Sequence, residues 1–415
     1  MLTRCRASKV QRGILREHLN SGSSTARLLE FGVALVFWPG KSFAQALSLT
    51  RQFGGQTTVI RSRYVQFMQQ IYLAWFHGIS PRMYYEMGVV AAKPPVRPMA
   101  WLQDGHAGLF SRIFRNEKTL PEINDKLLFA KIMGRNGVPA PSLLAAFDGG
   151  KPIEGITGPD FVIQVERCEA LFVKPVRSSG GKDSFVWEQA PAGGWLCKNS
   201  SRTGPGIYRA ACEIGRRVFS STELLGALLK QSRSGALMVQ RRLLNHPELP
   251  QLGGSGLISL RVLSGFGSQG IVPLRAVLYL PYRKSISSQN GLKATVDLRD
   301  GRLGRLFHSS ADQRFTPRLP ETGTLIEGTR LPCWPEVLSI VESAHNALSD
   351  FAFLGWDVAI CPGGPVILEA NGNFACSSLQ KPGARPLIDE KFLAIFDYWR
   401  KRERVNRAKS EKAKR

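Results

Sequence analysis

No two cysteines in this chain are spaced as CxxC. The seven (Cys5, Cys168, Cys197, Cys212, Cys333, Cys361 and Cys376) are scattered and odd in number. That excludes a disulfide scaffold and a cysteine zinc site, and it fits a reducing compartment. The six histidines are isolated too, with no HExxH and no Cys/His cluster. Long apolar runs are missing. The longest uncharged stretch, Tyr64–Pro81, holds three Gln, a His, a Ser and a Pro, which makes a poor membrane span. Arg and Lys dot the first 16 residues, so no secretory leader is expected. Acidic residues are few, 32 against 56 Lys+Arg, for a net charge of +24. Residues 1–100 carry +10 of it and residues 401–415 carry +6, so the basicity belongs to the ends. These observations predict a cytoplasmic protein whose ends touch acidic surfaces such as an anionic membrane.

The rest is ordinary globular composition: 43% hydrophobic and 21% charged over 415 residues, room for two or three domains. Between Val59 and Phe76 apolar residues recur every three or four positions, predicting a helix with one apolar face. Residues 1–115 read as a basic, mostly helical extension. After residue 116 a capped helix begins at Asn124 or Asp125 and ends near Gly134 or Gly137. Short apolar runs then follow at 171–175, 184–188, 236–243, 258–264, 271–280, 293–298, 353–360 and 365–370, with helical stretches at 207–231 and 335–349. That pattern predicts a mixed α/β body with a charged tail at 399–415.

Two places can carry chemistry. In the run Phe353–Asn371 two apolar segments flank Pro362-Gly363-Gly364, which predicts a β-hairpin. A three-residue loop puts Asp357 opposite Glu369, with Asn371 on the face of Glu369. Facing carboxylates repel, and a hard dication with oxygen ligands removes that cost. A surface hairpin with solvated acids is the alternative, and the apolar flanks argue against it. The second place is Lys174, at the end of an apolar strand and ahead of a Ser/Gly-rich turn, where an ammonium and free backbone N–H groups suit a phosphate. A snorkelling strand lysine is the competing reading. Gly265-Phe-Gly267-Ser-Gln-Gly270 precedes a strand, so it is no dinucleotide fingerprint, and Gly181-Lys182-Asp183 is no Walker loop.

Taken in order, these pieces resemble the ATP-grasp superfamily, and specifically its sugar-transfer-associated family, relatives of alpha-L-glutamate ligases. Asn124–Pro141, Phe172-Val-Lys174-Pro, Met238–Leu249, Ile258-Ser-Leu-Arg261-Val and Gly355-Trp-Asp357…Leu-Glu369-Ala-Asn371 carry the likeness. It implies an ATP-grasp fold of α/β (α+β) type behind the helical extension. The first helix and strand would span 116–170, a lid subdomain 171–240, and a C-terminal subdomain with the metal hairpin 241–398. It implies Lys126 and Lys174 on the nucleotide phosphates and Gln240 and Leu243 at the adenine edge. The loop of Ser178, Gly180, Gly181 and Lys182 would close over the phosphates, and Glu248 would reach the ribose. Asp357, Glu369 and Asn371 would hold Mg²⁺, or Mn²⁺ in its place. Arg261 would touch the transferred phosphoryl group or an acidic substrate, and with Lys174 would be catalytic. The segment Ser285–Gly291 departs from the family pattern and keeps only Asn290-Gly291. The implied activity is ATP-dependent joining of a small carboxylate and an amine in cell-surface glycan or peptide modification. Two rivals stand beside it: an ATP-grasp kinase with a non-carboxylate acceptor, and a basic binder of nucleic acid or acidic membrane. No nucleic-acid motif accompanies the charge.

Overall fold

The computed structural model describes residues 9–14, 24–55, 61–93, 97–114, 117–178, 184–199, 217–249, 252, 256–281, 291–308 and 315–412. Gly180, Gly181, Lys182 and most of the 285–291 segment lie outside the described residues.

The basic extension forms helices α1 (Ser24–Phe53), α2 (Arg63–His77) and α3 (Pro81–Glu86). The body follows with α4 (Lys126–Arg135), β1 (Leu143–Asp148), β2 (Lys151–Gly155), α5 (Gly158–Glu166), β3 (Ala170–Pro175), β4 (Phe185–Gln189), β5 (Trp195–Asn199), α6 (Ser221–Ser232) and β6 (Leu237–Arg241). Its second half holds β7 (Ser259–Gly267), β8 (Gly270–Leu280), β9 (Leu292–Val296), β10 (Leu303–His308), β11 (Phe315–Thr316), α7 (Trp334–Ala347), β12 (Phe353–Cys361), β13 (Gly364–Asn371), α8 (Cys376–Gln380) and α9 (Glu390–Lys412). Residues 399–412 of the basic tail are the last part of α9.

Two antiparallel sheets result. One has the order β2-β1-β6-β3-β4-β5, and α5 and α6 cover its core of Phe147, Phe161, Leu224 and Val239. The other has the order β11-β10-β9-β8-β7-β12-β13. Strand alternation gives it two faces. Leu260, Val262, Trp356 and Val358 pack under α7, while Leu263, Val277 and Phe353 meet residues of α9. The second face also bears Arg261 and Asp357. At the start of α4, Asp125 caps the helix by accepting from the N–H groups of Leu127 and Leu128 at 3.0 and 3.1 Å.

On the α7 face a buried chain of hydrogen bonds fixes β7 and β12 to the helix. Trp356 Nε1 donates to Ser264 Oγ at 2.8 Å, and Ser264 Oγ lies 2.7 Å from His345 Nδ1. His345 Nε2 lies 2.9 Å from the Phe351 carbonyl, which can only accept. Nε2 therefore carries the proton, and Ser264 donates to Nδ1. Burial pushes the His345 pKa down to about 4. The unfolded chain takes the proton first, so stability is lost as pH falls from 6.5 toward 4. Between pH 7 and pH 5 this costs about 2 kcal/mol. Denaturant titrations should show that loss in the parent and not in His345→Gln. Equal losses in both would remove His345 as the source.

Candidate active site

Three neighbouring strands place one charged residue each in a single row. Asp357 on β12 is the registered partner of Arg261 on β7 and of Glu369 on β13. Arg261 Nε and Nη2 donate to Asp357 Oδ1 and Oδ2 at 2.5 and 3.0 Å, a two-pronged ion pair. Asn371, two residues beyond Glu369, donates Nδ2 to Glu369 Oε1 at 3.4 Å.

The pairing expected of Asp357 and Glu369 is present, reached by another route. Cys361 pairs with Gly364, so the turn is the two residues Pro362-Gly363. That register alone would set Asp357 opposite Leu368. A bulge between Asp357 and Val358 takes up Leu368 and restores Glu369 as the partner. Gly355 makes room beside the row. A Cβ there would lie 2.7 Å from Phe374 Cβ and 3.3 Å from Arg261 Cδ. Gly355→Ala should therefore cost about 1–3 kcal/mol, because the packed Phe374 must shift. Unchanged thermal stability would show that the neighbours yield freely.

The second half of the site comes from the first sheet and α4. Lys174 on β3 is buried, and burial pushes its ammonium down to about 8; Glu369 opposes that shift and Lys126 adds to it. Lys126 opens α4 and donates Nζ to the Ser178 carbonyl at 2.6 Å and to Ser178 Oγ at 3.3 Å. This ties the start of the Ser/Gly turn to the helix. Burial lowers Lys126 as well, against the pull of Glu369 and Asp125. Burial raises Asp357 to about 7, with Arg261 pulling it down and Glu369 pushing it up. Burial also works upward on Glu369. Its hydrogen bond with Asp357 and the charges of Lys174, Arg261 and Lys126 outweigh that and hold it below the usual range.

The structure accordingly gathers Lys126, Lys174, Ser178, Arg261, Asp357, Glu369 and Asn371. Gln240 is buried on β6, between Leu143 and Phe172 of the flanking strands, and donates its amide to the Pro141 carbonyl at 3.1 Å. Leu243 lies half-buried just past that strand. Glu248 is exposed, and its N–H donates to His246 Nδ1 at 3.3 Å.

Two cations escape sequence reasoning. Lys293 on β9 is buried, donates to Ser378 Oγ at 2.8 Å and lies 4.8 Å over the Tyr279 ring, whose centroid is 5.9 Å from the Arg261 guanidinium. Lys381, just past α8, is buried and lies 4.6 Å over Phe307. Burial pushes both ammonium groups down to about 8; Arg261 adds to this at Lys293, and Lys293 adds to it at Lys381. Arg261, Lys293 and Lys381 thus form a file across β7–β10, spaced by two aromatic rings. A signal for Lys293 was present in Leu292-Lys-Ala-Thr-Val296, where the apolar residues alternate and leave Lys293 on the other face. Lys381 has no such signal.

A family model described as sugar-transfer associated ATP-grasp matches residues 108–391. Comparison with curated proteins returns no match. Among solved structures, the chain is similar to D-alanyl-alanine synthetase A from Vibrio cholerae, at 8% identity over 67% of this chain and 66% of that one, with a TM-score of 0.38. It is also similar to a D-alanine–D-alanine ligase from Bacillus anthracis complexed with ATP, at 12% identity, 68% of each chain and a TM-score of 0.36. A third is an L-amino acid ligase from Bacillus licheniformis, at 12% identity, 71% of this chain, 55% of that one and a TM-score of 0.37. The family match starts where the helical extension gives way to the body and takes in both sheets with every residue of the charged row, so the chain belongs to the sugar-transfer-associated ATP-grasp family and its mixed body has the ATP-grasp fold.

Proposed function

We propose that this protein is an ATP- and Mg²⁺-dependent ligase that activates a carboxylate as an acyl phosphate for attack by an amine. The observation that carries this reading is the row Arg261–Asp357–Glu369, whose Glu369 lies within electrostatic reach of Lys174 on the first sheet and Lys126 on α4. Phosphoryl transfer asks for positive groups around the charge-bearing oxygens and little covalent help, and this cluster has that composition. Lys126 and Lys174 would bind the phosphates, and Lys126 would set the start of the Ser178–Lys182 loop above them. Gln240 and Leu243 would line the adenine, with Glu248 toward the ribose. Arg261 would orient the carboxylate that receives the phosphoryl group.

Asp357, Glu369 and Asn371 fit a hard dication. Every donor is oxygen, and Asp357 and Glu369 are a facing acid pair whose repulsion a dication relieves. Among the described residues no group of three or more His, Cys, Asp or Glu is gathered, so two carboxylates and one amide would be the protein's share of the ligands. When bound, Mg²⁺, or Mn²⁺ in its place, supplies charge neutralisation for the transferred phosphoryl group. In the reaction the carboxylate oxygen takes the γ-phosphoryl group and ADP leaves. The amine then attacks the carbonyl carbon and phosphate leaves. The file Arg261–Lys293–Lys381 favours an acidic substrate. Sugar transfer in the family's description favours cell-surface glycan or peptide modification as the setting, and use of ATP favours the cytoplasm.

ADP release from purified protein should be measured with Mg-ATP and pools of amino acids and sugar acids. Release is expected only when a carboxylate and an amine are both present. Release with a hydroxyl acceptor alone would replace the ligase by a kinase.

A further inference from the structure

The hairpin of α1 and α2 turns a large apolar face outward. On α2, Tyr64, Met68, Tyr72, Trp75 and Phe76 recur every three or four residues and stand 45–72% exposed, and Phe37 on α1 is 68% exposed. These two helices supply ten of the 18 large apolar side chains exposed among the described residues. The seam between them is mixed: Phe43 meets Phe67 edge-on and Leu49 and Phe53 pack in one cluster with Leu73, but polar side chains are buried there too. Ser42, Ala46 and Thr50 of α1 and Gln66 and Gln70 of α2 are buried. Gln70 Nε2 donates to Thr50 Oγ1 at 2.8 Å, Trp75 Nε1 to Ser42 Oγ at 3.0 Å, and Trp38 Nε1 to the Ala74 carbonyl at 2.8 Å. Helices surrounded by water turn their apolar side inward, because burying it is what stabilises them. Buried, hydrogen-bonded polar side chains together with so many large apolar groups left outside suit an apolar surrounding medium.

Charge decides what covers this face. α2 contains no acidic residue and α1 contains only Glu30, while Lys41, Arg51 and Arg63 are exposed. A second copy of the chain would bring cations against cations. An anionic bilayer meets both features, taking aromatic and aliphatic groups at the headgroup level and cations at its surface. Among the described residues no helix is long and apolar enough to cross a membrane, so the hairpin would lie along the interface. We propose that the outer face of α1 and α2 seats the protein on an anionic lipid surface. The charge of the two ends adds to the attraction and does not replace the apolar contact.

The test is co-sedimentation of the full chain with phosphatidylglycerol/phosphatidylcholine vesicles, beside pure phosphatidylcholine vesicles, for the parent and for Phe37→Gln/Phe76→Gln. Both side chains are about two-thirds exposed, so the variant should keep its circular dichroism spectrum. The parent should bind the anionic vesicles, and the variant should bind roughly tenfold or more weakly. In the parent, bromine-labelled lipid should also quench tryptophan emission through Trp75, a readout independent of any variant. Binding that salt abolishes and the double variant leaves unchanged would assign the contact to charge alone and overturn the proposal. Failure to bind vesicles, with or without self-association that the variant removes, would overturn it as well.

Discussion

Glu369→Gln is expected to lower turnover by about two to three orders of magnitude while changing nucleotide affinity less than tenfold. The substitution keeps the size of the side chain and its place opposite Asp357 on β13. It removes one negative charge from the proposed dication ligands, and that charge matters most when the phosphoryl group is in flight. Each factor of ten corresponds to about 1.4 kcal/mol of lost transition-state stabilisation, so the loss asked for is about 3–4 kcal/mol. Added Mg²⁺ or Mn²⁺ should recover part of it. Steady-state ADP release and calorimetry of the same variant separate the two effects. Normal turnover would make the hairpin a structural element only.

Lys174→Met is expected to act in opposite directions on the free and the nucleotide-bound protein. Burial pushes the ammonium down to about 8 from the ordinary lysine value of about 10.4, so near neutral pH a buried cation is held at a cost of about 3 kcal/mol. Met keeps the stem and removes that cost. The nucleotide-free variant should therefore be as stable as the parent or more so. Mg-ATP should bind it about 10–150-fold more weakly, since a charge-assisted phosphate contact is worth about 1.5–3 kcal/mol. Differential scanning calorimetry and titration calorimetry read the two effects. Loss of stability with unchanged affinity would demote Lys174 to a strand residue whose charge serves only Glu369.

Much of the body was legible in the sequence because its strands are apolar and bounded by glycine or proline. Phe353–Cys361 and Gly364–Asn371 lie within a residue of the runs at 353–360 and 365–370, and Trp334–Ala347 lies close to the expected helix. The Asp357–Glu369 pairing followed from an assumed three-residue loop. A two-residue turn and a bulge at Leu368 reach the same pairing, because one extra residue in either place gives the same offset. β1 was expected only through the resemblance, which put a strand after the first helix within 116–170, and β2 went unread. Leu143-Leu-Ala-Ala-Phe-Asp is rich in alanine, a weak strand former, and Lys151-Pro-Ile-Glu-Gly carries a proline that only an edge strand tolerates. α5 was missed too, since it is only nine residues long, Gly158–Glu166. Lys381 was invisible for another reason: its burial depends on packing over Phe307, far away in the chain. The apolar stripe read on α2 through Tyr64, Phe67, Ile71, Tyr72 and Trp75 mixes two sides, since Ile71 is buried while Tyr64, Tyr72 and Trp75 are exposed; a sequence does not say which side of a stripe faces the protein.

Thermal unfolding of the parent protein with ATP, with and without Mg²⁺, tests the central claim most directly. Ligand linkage raises the unfolding temperature only when the ligand binds the folded state. If Asp357, Glu369 and Asn371 hold the dication that carries ATP to Lys126 and Lys174, ATP should stabilise the protein when Mg²⁺ is present and far less when it is chelated. Equal stabilisation by metal-free ATP, or none under either condition, would contradict the ligase site at this hairpin.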